Sequence, residues 1–221
     1  MIPLRDSQPS HATPFITMGL IFINVMIFLY QVSLDPYSLH HLIMEYGVVP
    51  DRLRPVTLVT SMFLHGGWLH LIGNMWFLWI FGDNIEDILG HWKFVGFYVG
   101  CGVLASLGHV LVHPDSRIPA IGASGAIAGV MGAYILKFPH SRIVTLIPIF
   151  FFITTVNIPA YVILLYWFVL QLFSGIGAVV AAQDAAGVAW FAHIGGFIAG
   201  MILIFLLPTK SRYSHRADFH W

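Results

Sequence analysis

The chain has 221 residues, 58% of them hydrophobic and only 9% charged, with 10 basic residues balancing 10 acidic ones. Soluble domains carry about a quarter charged residues, so this composition excludes an ordinary soluble domain, and the balanced charge gives no footing for nucleic-acid binding. The single cysteine, Cys101, lies in an apolar run, which excludes an intramolecular disulfide.

In chain order, residues 1–10 are polar and lack the charged start, apolar stretch and cleavage site of a removable signal. The first apolar run is therefore expected to stay as a membrane span. A bilayer core takes about 20 apolar residues per helix and tolerates few charges, so charge-free intervals delimit the spans. Six occur, at residues 7–34, 55–82, 94–114, 118–136, 143–183 and 185–209. The second is interrupted by His65-Gly66-Gly67, which predicts a helix starting near Trp68, after a long, partly embedded connection from Leu34. The fifth is too long for one helix and holds Pro148, Asn157 and Pro159; its first half reads as a loop or partly embedded segment, and residues 160–182 as the span. The expected class is all-α: one six-helix membrane domain over residues 15–207, an N-terminal segment 1–14 and a C-terminal tail 208–221.

Lysine and arginine set the orientation. With the N-terminus inside, Arg5, Lys93, Lys137, Arg142, Lys210, Arg212 and Arg216 fall inside, against Arg52, Arg54 and Arg117 outside. Both termini are then cytoplasmic, and the starts of the fourth and sixth spans share the outer side.

The fourth span opens with Ile121-Gly122-Ala123-Ser124-Gly125, where glycines permit a tight turn and leave backbone N–H groups open to an oxyanion. A serine hydroxyl is a weak nucleophile without a base. The one downstream histidine within a span is His193, in Ala192-His193-Ile194-Gly195-Gly196. Taken singly, Ser124 reads as a small packing residue and His193 as a satisfied core histidine; on facing spans each explains the other. Gly125/Gly129 and Gly196/Gly200 have the small-xxx-small spacing that lets backbones approach. On the second span His70 and Asn74 are four apart and share a face. Asn74 reads as an oxyanion donor with His70 assisting, or the two make an interhelical hydrogen bond.

The run from Met62 through His65, Gly66, His70 and Asn74, then Gly122-Ala123-Ser124-Gly125, then Ala192-His193-Ile194-Gly195-Gly196, closely resembles the bacterial rhomboid intramembrane proteases. The resemblance covers residues 55–207. It implies a six-helix bundle with a water-filled cavity, and a serine endopeptidase that cuts transmembrane substrates without cofactor or metal. Ser124 would be the nucleophile and His193 the base, with the Ser124 N–H, Asn74 and His70 holding the oxyanion. It also implies that Gly196 and Gly200 seat the sixth span on the fourth, that the fifth span around residues 167–171 is a lateral gate, and that Glu86 and Gln171 are structural. Two departures follow. A Trp-Arg pair of some members is replaced by Val56 and Thr57, with Arg52 and Arg54 nearby, and a tyrosine that stacks on the histidine is replaced by Ala128.

No acidic third member is evident; Asp184, nine residues before His193, is expected at the membrane surface. The Gly-x-Ser-x-Gly elbow is unmatched, since Ala126 takes its last position. The zinc signature His-Glu-x-x-His is absent, the His65/His70 spacing misses one face, and His40 and His41 are expected in a solvated loop. Paired-aspartate chemistry needs acids within spans. A transporter predicts repeats that are not found. A silent, client-binding rhomboid relative usually lacks the serine or histidine. Substrate identity, oligomeric state and the role of the tail are not legible.

Overall fold

The computed structural model describes residues 2–149, 152–180 and 189–210. The first helix, α1 (Phe15–Ser33), has no side-chain cap of its own. Its free N–H groups are met from a distance: Glu86 accepts from Ile16 N at 2.9 Å, from Thr17 N at 2.8 Å and from Thr17 Oγ1 at 2.7 Å. A carboxylate at a helix N-terminus is favoured by the exposed N–H groups and the dipole together. The connection expected after Leu34 is structured. Helix α2 (Pro36–Tyr46) starts on Asp35, whose carboxylate accepts from Tyr37 N and Ser38 N, with Pro36 in the first helical position. His40 and His41 are exposed as expected, but on this helix and not in a loop. A short helix α3 (Thr57–Thr60) follows.

Helix α4 (Trp68–Leu89) begins at the residue that His65-Gly66-Gly67 predicts. It runs beyond the Gly82 limit set by charge, carrying Asp83, Glu86 and Asp87 in its last turns. The limit fell short because Glu86 is buried as the cap of α1, and a paired carboxylate does not end a helix. Helices α5 (His91–Val112), α6 (Ser124–Lys137), α7 (Ala160–Val180) and α8 (Trp190–Leu206) complete the set. Thus α1 and α4 to α8 stand where six spans were expected. Three stretches, Phe15–Ser33, His91–Val112 and Ala160–Gly177, are long and apolar enough to cross a membrane by length and composition; α6 and α8 are shorter apolar helices.

The molecule is mainly helical, in keeping with the all-α class. The departure is a three-stranded antiparallel sheet of β1 (Ile2–Asp6), β2 (Arg142–Ile149) and β3 (Phe152–Pro159), in that order. Asp6 pairs with Ile143, and Arg142 with Pro159. The stretch expected as a loop or partly embedded segment is a hairpin, because Ile143-Val144-Thr145-Leu146-Ile147 is rich in β-branched residues suited to a strand. Counting charges cannot distinguish such a strand from apolar loop.

Helices α5, α6 and α8 pack closely through small residues. A methyl group added at Gly196 or Gly200 would strike the carbonyl of Gly125 or Gly129, and one at Gly132 the backbone of Phe197. Added to Gly129 it would lie 2.5 Å from Cys101 Cβ. The expected seating of α8 on α6 through Gly196 and Gly200 is therefore the observed contact. The core beneath it includes Tyr98, Ala126, Val130, Tyr134 and Phe197.

Candidate active site

Ser124 is the first residue of α6 and His193 lies in the first turn of α8. The close backbone approach of these helices brings His193 Nε2 to 2.7 Å from Ser124 Oγ. The other ring nitrogen, Nδ1, is 2.6 Å from Gln171 Oε1 on α7. An amide oxygen only accepts, so Nδ1 carries the proton and donates it to Gln171. Nε2 is then unprotonated and accepts from the Ser124 hydroxyl, the tautomer a general base needs.

Gln171, read from sequence as structural, is in contact with the histidine, and it is buried. It stands where a catalytic acid would stand in a triad. Asp184 lies outside the described residues. Ala128, the missing tyrosine position, is fully buried within α6. Aromatic support for His193 comes instead from Trp167, with ring centroids 5.8 Å apart at 39°, and from Trp190, edge-on at 6.2 Å.

The turn before Ser124 shapes the opposite side. Gly122 has φ of +124°, a conformation that L side chains rarely adopt. A Cβ there would also meet His70 Nε2 at 2.7 Å and Asn74 Nδ2 at 3.6 Å. The glycine therefore leaves a small space beside Ser124 that both side chains face. His70 Nδ1 accepts from Gly66 N at 3.2 Å, which leaves the ring proton on Nε2, toward that space. Asn74 Nδ2 is buried and has no hydrogen-bond partner among the described residues. Two N–H donors thus converge where an anionic oxygen could sit. The first N–H groups of α6, Ser124's among them, have no acceptor within the helix.

Next to Ser124 a small, partly open pocket is lined by Ser61, Ser106, His109, Gly122, Ala189 and Ala192, among others. His109 was not singled out from sequence. Its signal there is weak, a histidine near the end of an apolar run. The connection between α1 and α4 is held without a Trp-Arg pair: Arg54 Nη1 lies 2.6 Å from Glu45 Oε1 and its Nη2 donates to the Glu45 carbonyl, while Arg117 Nε is 3.1 Å from Asp51 Oδ2.

Comparison with known proteins gives one family. The Rhomboid domain model matches residues 52–210. The presenilin-associated rhomboid-like protein, mitochondrial, of Rattus norvegicus is 32% identical over 140 residues, 61% of this chain and 36% of its own length. RHOMBOID-like protein 5 of Arabidopsis thaliana is 31% identical over 158 residues, 72% of this chain and 46% of its own length. Rhomboid protein 1, mitochondrial, of Saccharomyces cerevisiae is 34% identical over 92 residues, 40% of this chain and 27% of its own length. The chain therefore spans less than half of each of these relatives. All three are eukaryotic, so they carry the family and not the bacterial type. With the match extending over most of the sequence, the chain belongs to the rhomboid family.

Proposed function

We propose that the chain is a serine endopeptidase that hydrolyses peptide bonds in or beside transmembrane segments of other proteins, using Ser124 and His193 as a dyad. The observation that carries this reading is the 2.7 Å contact from His193 Nε2 to Ser124 Oγ, with Gln171 fixing the tautomer. Ser124 Oγ attacks the substrate carbonyl carbon as its proton passes to His193 Nε2. The oxyanion that forms is held by Asn74 Nδ2, His70 Nε2 and the Ser124 N–H. The C–N bond then breaks, and His193 gives its proton to the leaving amine. Water, deprotonated by His193, hydrolyses the resulting ester of Ser124 and frees the enzyme.

The unit is the six-span domain of residues 15–207, an integral membrane protein of a bacterial inner or plasma membrane. The lysine and arginine bias supports both termini in the cytoplasm. The partners are transmembrane substrates and lipid, and no cofactor or metal is required. The alternative of a silent client-binding protein predicts loss of the serine or histidine, and both are present. A small transporter remains the alternative of another class, and cleavage discriminates against it. Purified protein in lipid is expected to cleave a single-span model substrate, and Ser124→Ala to abolish cleavage. Undiminished turnover by the alanine variant sinks the assignment.

A further inference from the structure

Gln31 lies in the last turn of α1 and does not reach the dyad, yet it is buried, with only 2% of its surface exposed. A buried amide in an apolar helix costs several kcal/mol unless both of its ends are paired. Here both are. Gln31 Nε2 donates to the His65 carbonyl at 3.1 Å, and the His65 N–H donates back to Gln31 Oε1 at 3.0 Å.

The His65 carbonyl and the Gly66 N–H belong to one planar peptide unit and point to opposite sides of it. Gln31 holds the carbonyl side. On the other side, Gly66 N–H donates to His70 Nδ1 at 3.2 Å. The amide of Gln31 and the ring of His70 therefore grip the two edges of one rigid plane. The neighbours do not fix that plane by themselves. A Cβ at Gly67 would meet nothing within 4 Å, and one at Gly66 would meet only His70 Nδ1, at 3.7 Å. Glycines leave such a peptide free to turn over. Were it turned over, a carbonyl would face His70 Nδ1, the ring proton would move there, and Nε2 would present a lone pair to the space beside Gly122. A lone pair repels an oxyanion where an N–H would hold it.

We propose that Gln31 is a positioning residue that fixes the His65–Gly66 peptide so that His70 keeps its proton on Nε2 as a donor to the oxyanion. The inference rests on the protease reading for its functional meaning, but the hydrogen-bond relay does not require turnover to be observed.

The test is a double-mutant cycle with a spectroscopic arm, on full-length protein in lipid. Against a single-span model substrate, Gln31→Met is expected to lower kcat about tenfold, with KM little changed. In the His70→Ala background the same substitution should cost nothing further. Equal losses in both backgrounds mean a clamp with general structural effect and overturn the inference. In ¹⁵N-histidine spectra, the His70 signal, assigned by its loss in His70→Ala, should show protonated Nε2 in the wild type and a shift toward protonated Nδ1 in Gln31→Met. An unchanged His70 signal overturns the inference whether or not the chain cleaves anything. A shifted signal in a protein whose wild type never cleaves would instead sink the protease reading and leave the positioning intact. Should Gln31→Met fail to fold, Gln31→Glu decides. Its neutral acid can donate to the His65 carbonyl and its carboxylate cannot, so its kcat relative to wild type should rise as pH falls. A flat ratio overturns the inference.

Discussion

The two ends of α6 treat buried polar groups in opposite ways. At the end carrying Tyr134, most of the polar groups pair with one another, Asn84 Oδ1 being without a partner among the described residues. The Tyr134 hydroxyl donates to Asp6 Oδ2 at 2.5 Å and lies 2.9 Å from Ser141 Oγ, while Asn84 Nδ2 donates to the same Asp6 oxygen at 2.9 Å. Nearby, Glu86 holds the N-terminus of α1 and is 2.6 Å from His91 Nδ1. At the end carrying Ser124, polar atoms are buried without partners among the described residues: Asn74 Nδ2, His109 Nδ1 and both ring nitrogens of His65. Each such atom costs about 1–3 kcal/mol if nothing ever pairs with it. On the proposed reading, the unpaired Asn74 Nδ2 is a donor held for the oxyanion that the reaction creates. Substitutions at the Ser124 end should therefore change turnover and spare stability, and those at the Tyr134 end the reverse.

Outside the dyad, the largest effect expected is at Asn74. Asn74→Ala should lower kcat by about 10²–10³, with the thermal midpoint in detergent close to wild type; normal turnover removes Asn74 from the oxyanion site. At the other end, Glu86→Gln takes the charge from the cap of α1 and should cost about 2 kcal/mol of stability. Activity per folded molecule should hold, and a selective loss of kcat without loss of stability would break the comparison. Gln171→Leu removes the acceptor of His193 Nδ1–H, lets the wrong tautomer populate, and should reduce kcat about tenfold; an unaffected rate would mean that Trp167 and Trp190 alone hold the ring.

The smallest effect is a pH dependence. Burial pushes the Asp6 carboxyl from its ordinary 3.8 up to about 6, against the lowering by Tyr134 and Asn84. The folded state then holds the proton more tightly than the unfolded chain. Between about pH 4 and pH 6 this group makes stability fall as pH rises, and the cost is in full above that window. Asp6→Asn should flatten this part of the stability curve measured in detergent, and an unchanged slope would assign the dependence elsewhere.

What was legible in the sequence were features with a local signature. The His-Gly-Gly break predicts the start of α4, and the glycine spacings predict the contact of α6 and α8 that brings Ser124 and His193 together. Features that depend on distant pairing were not. Gln171 is one uncharged polar residue in an apolar run, and its partner is 22 positions away on another helix. Gln31 pairs with a backbone 34 positions away, and no pattern in α1 announces it. The reach of α4 past Gly82 was hidden because charge alone ends the interval there; the resemblance marks Glu86 as structural, but its partner, the N-terminus of α1, is 69 positions away. The hairpin of β2 and β3 was hidden because a charge-free apolar run has the same composition whether it pairs as strands or not.

The most direct test of the central claim is labelling with a fluorophosphonate serine probe. The wild type should be labelled on Ser124, with Ser124→Ala unlabelled and His193→Ala at least 10³-fold slower, as befits residues that act as a unit. Equal labelling of the wild type and Ser124→Ala, or no labelling of a folded wild type, would contradict the account.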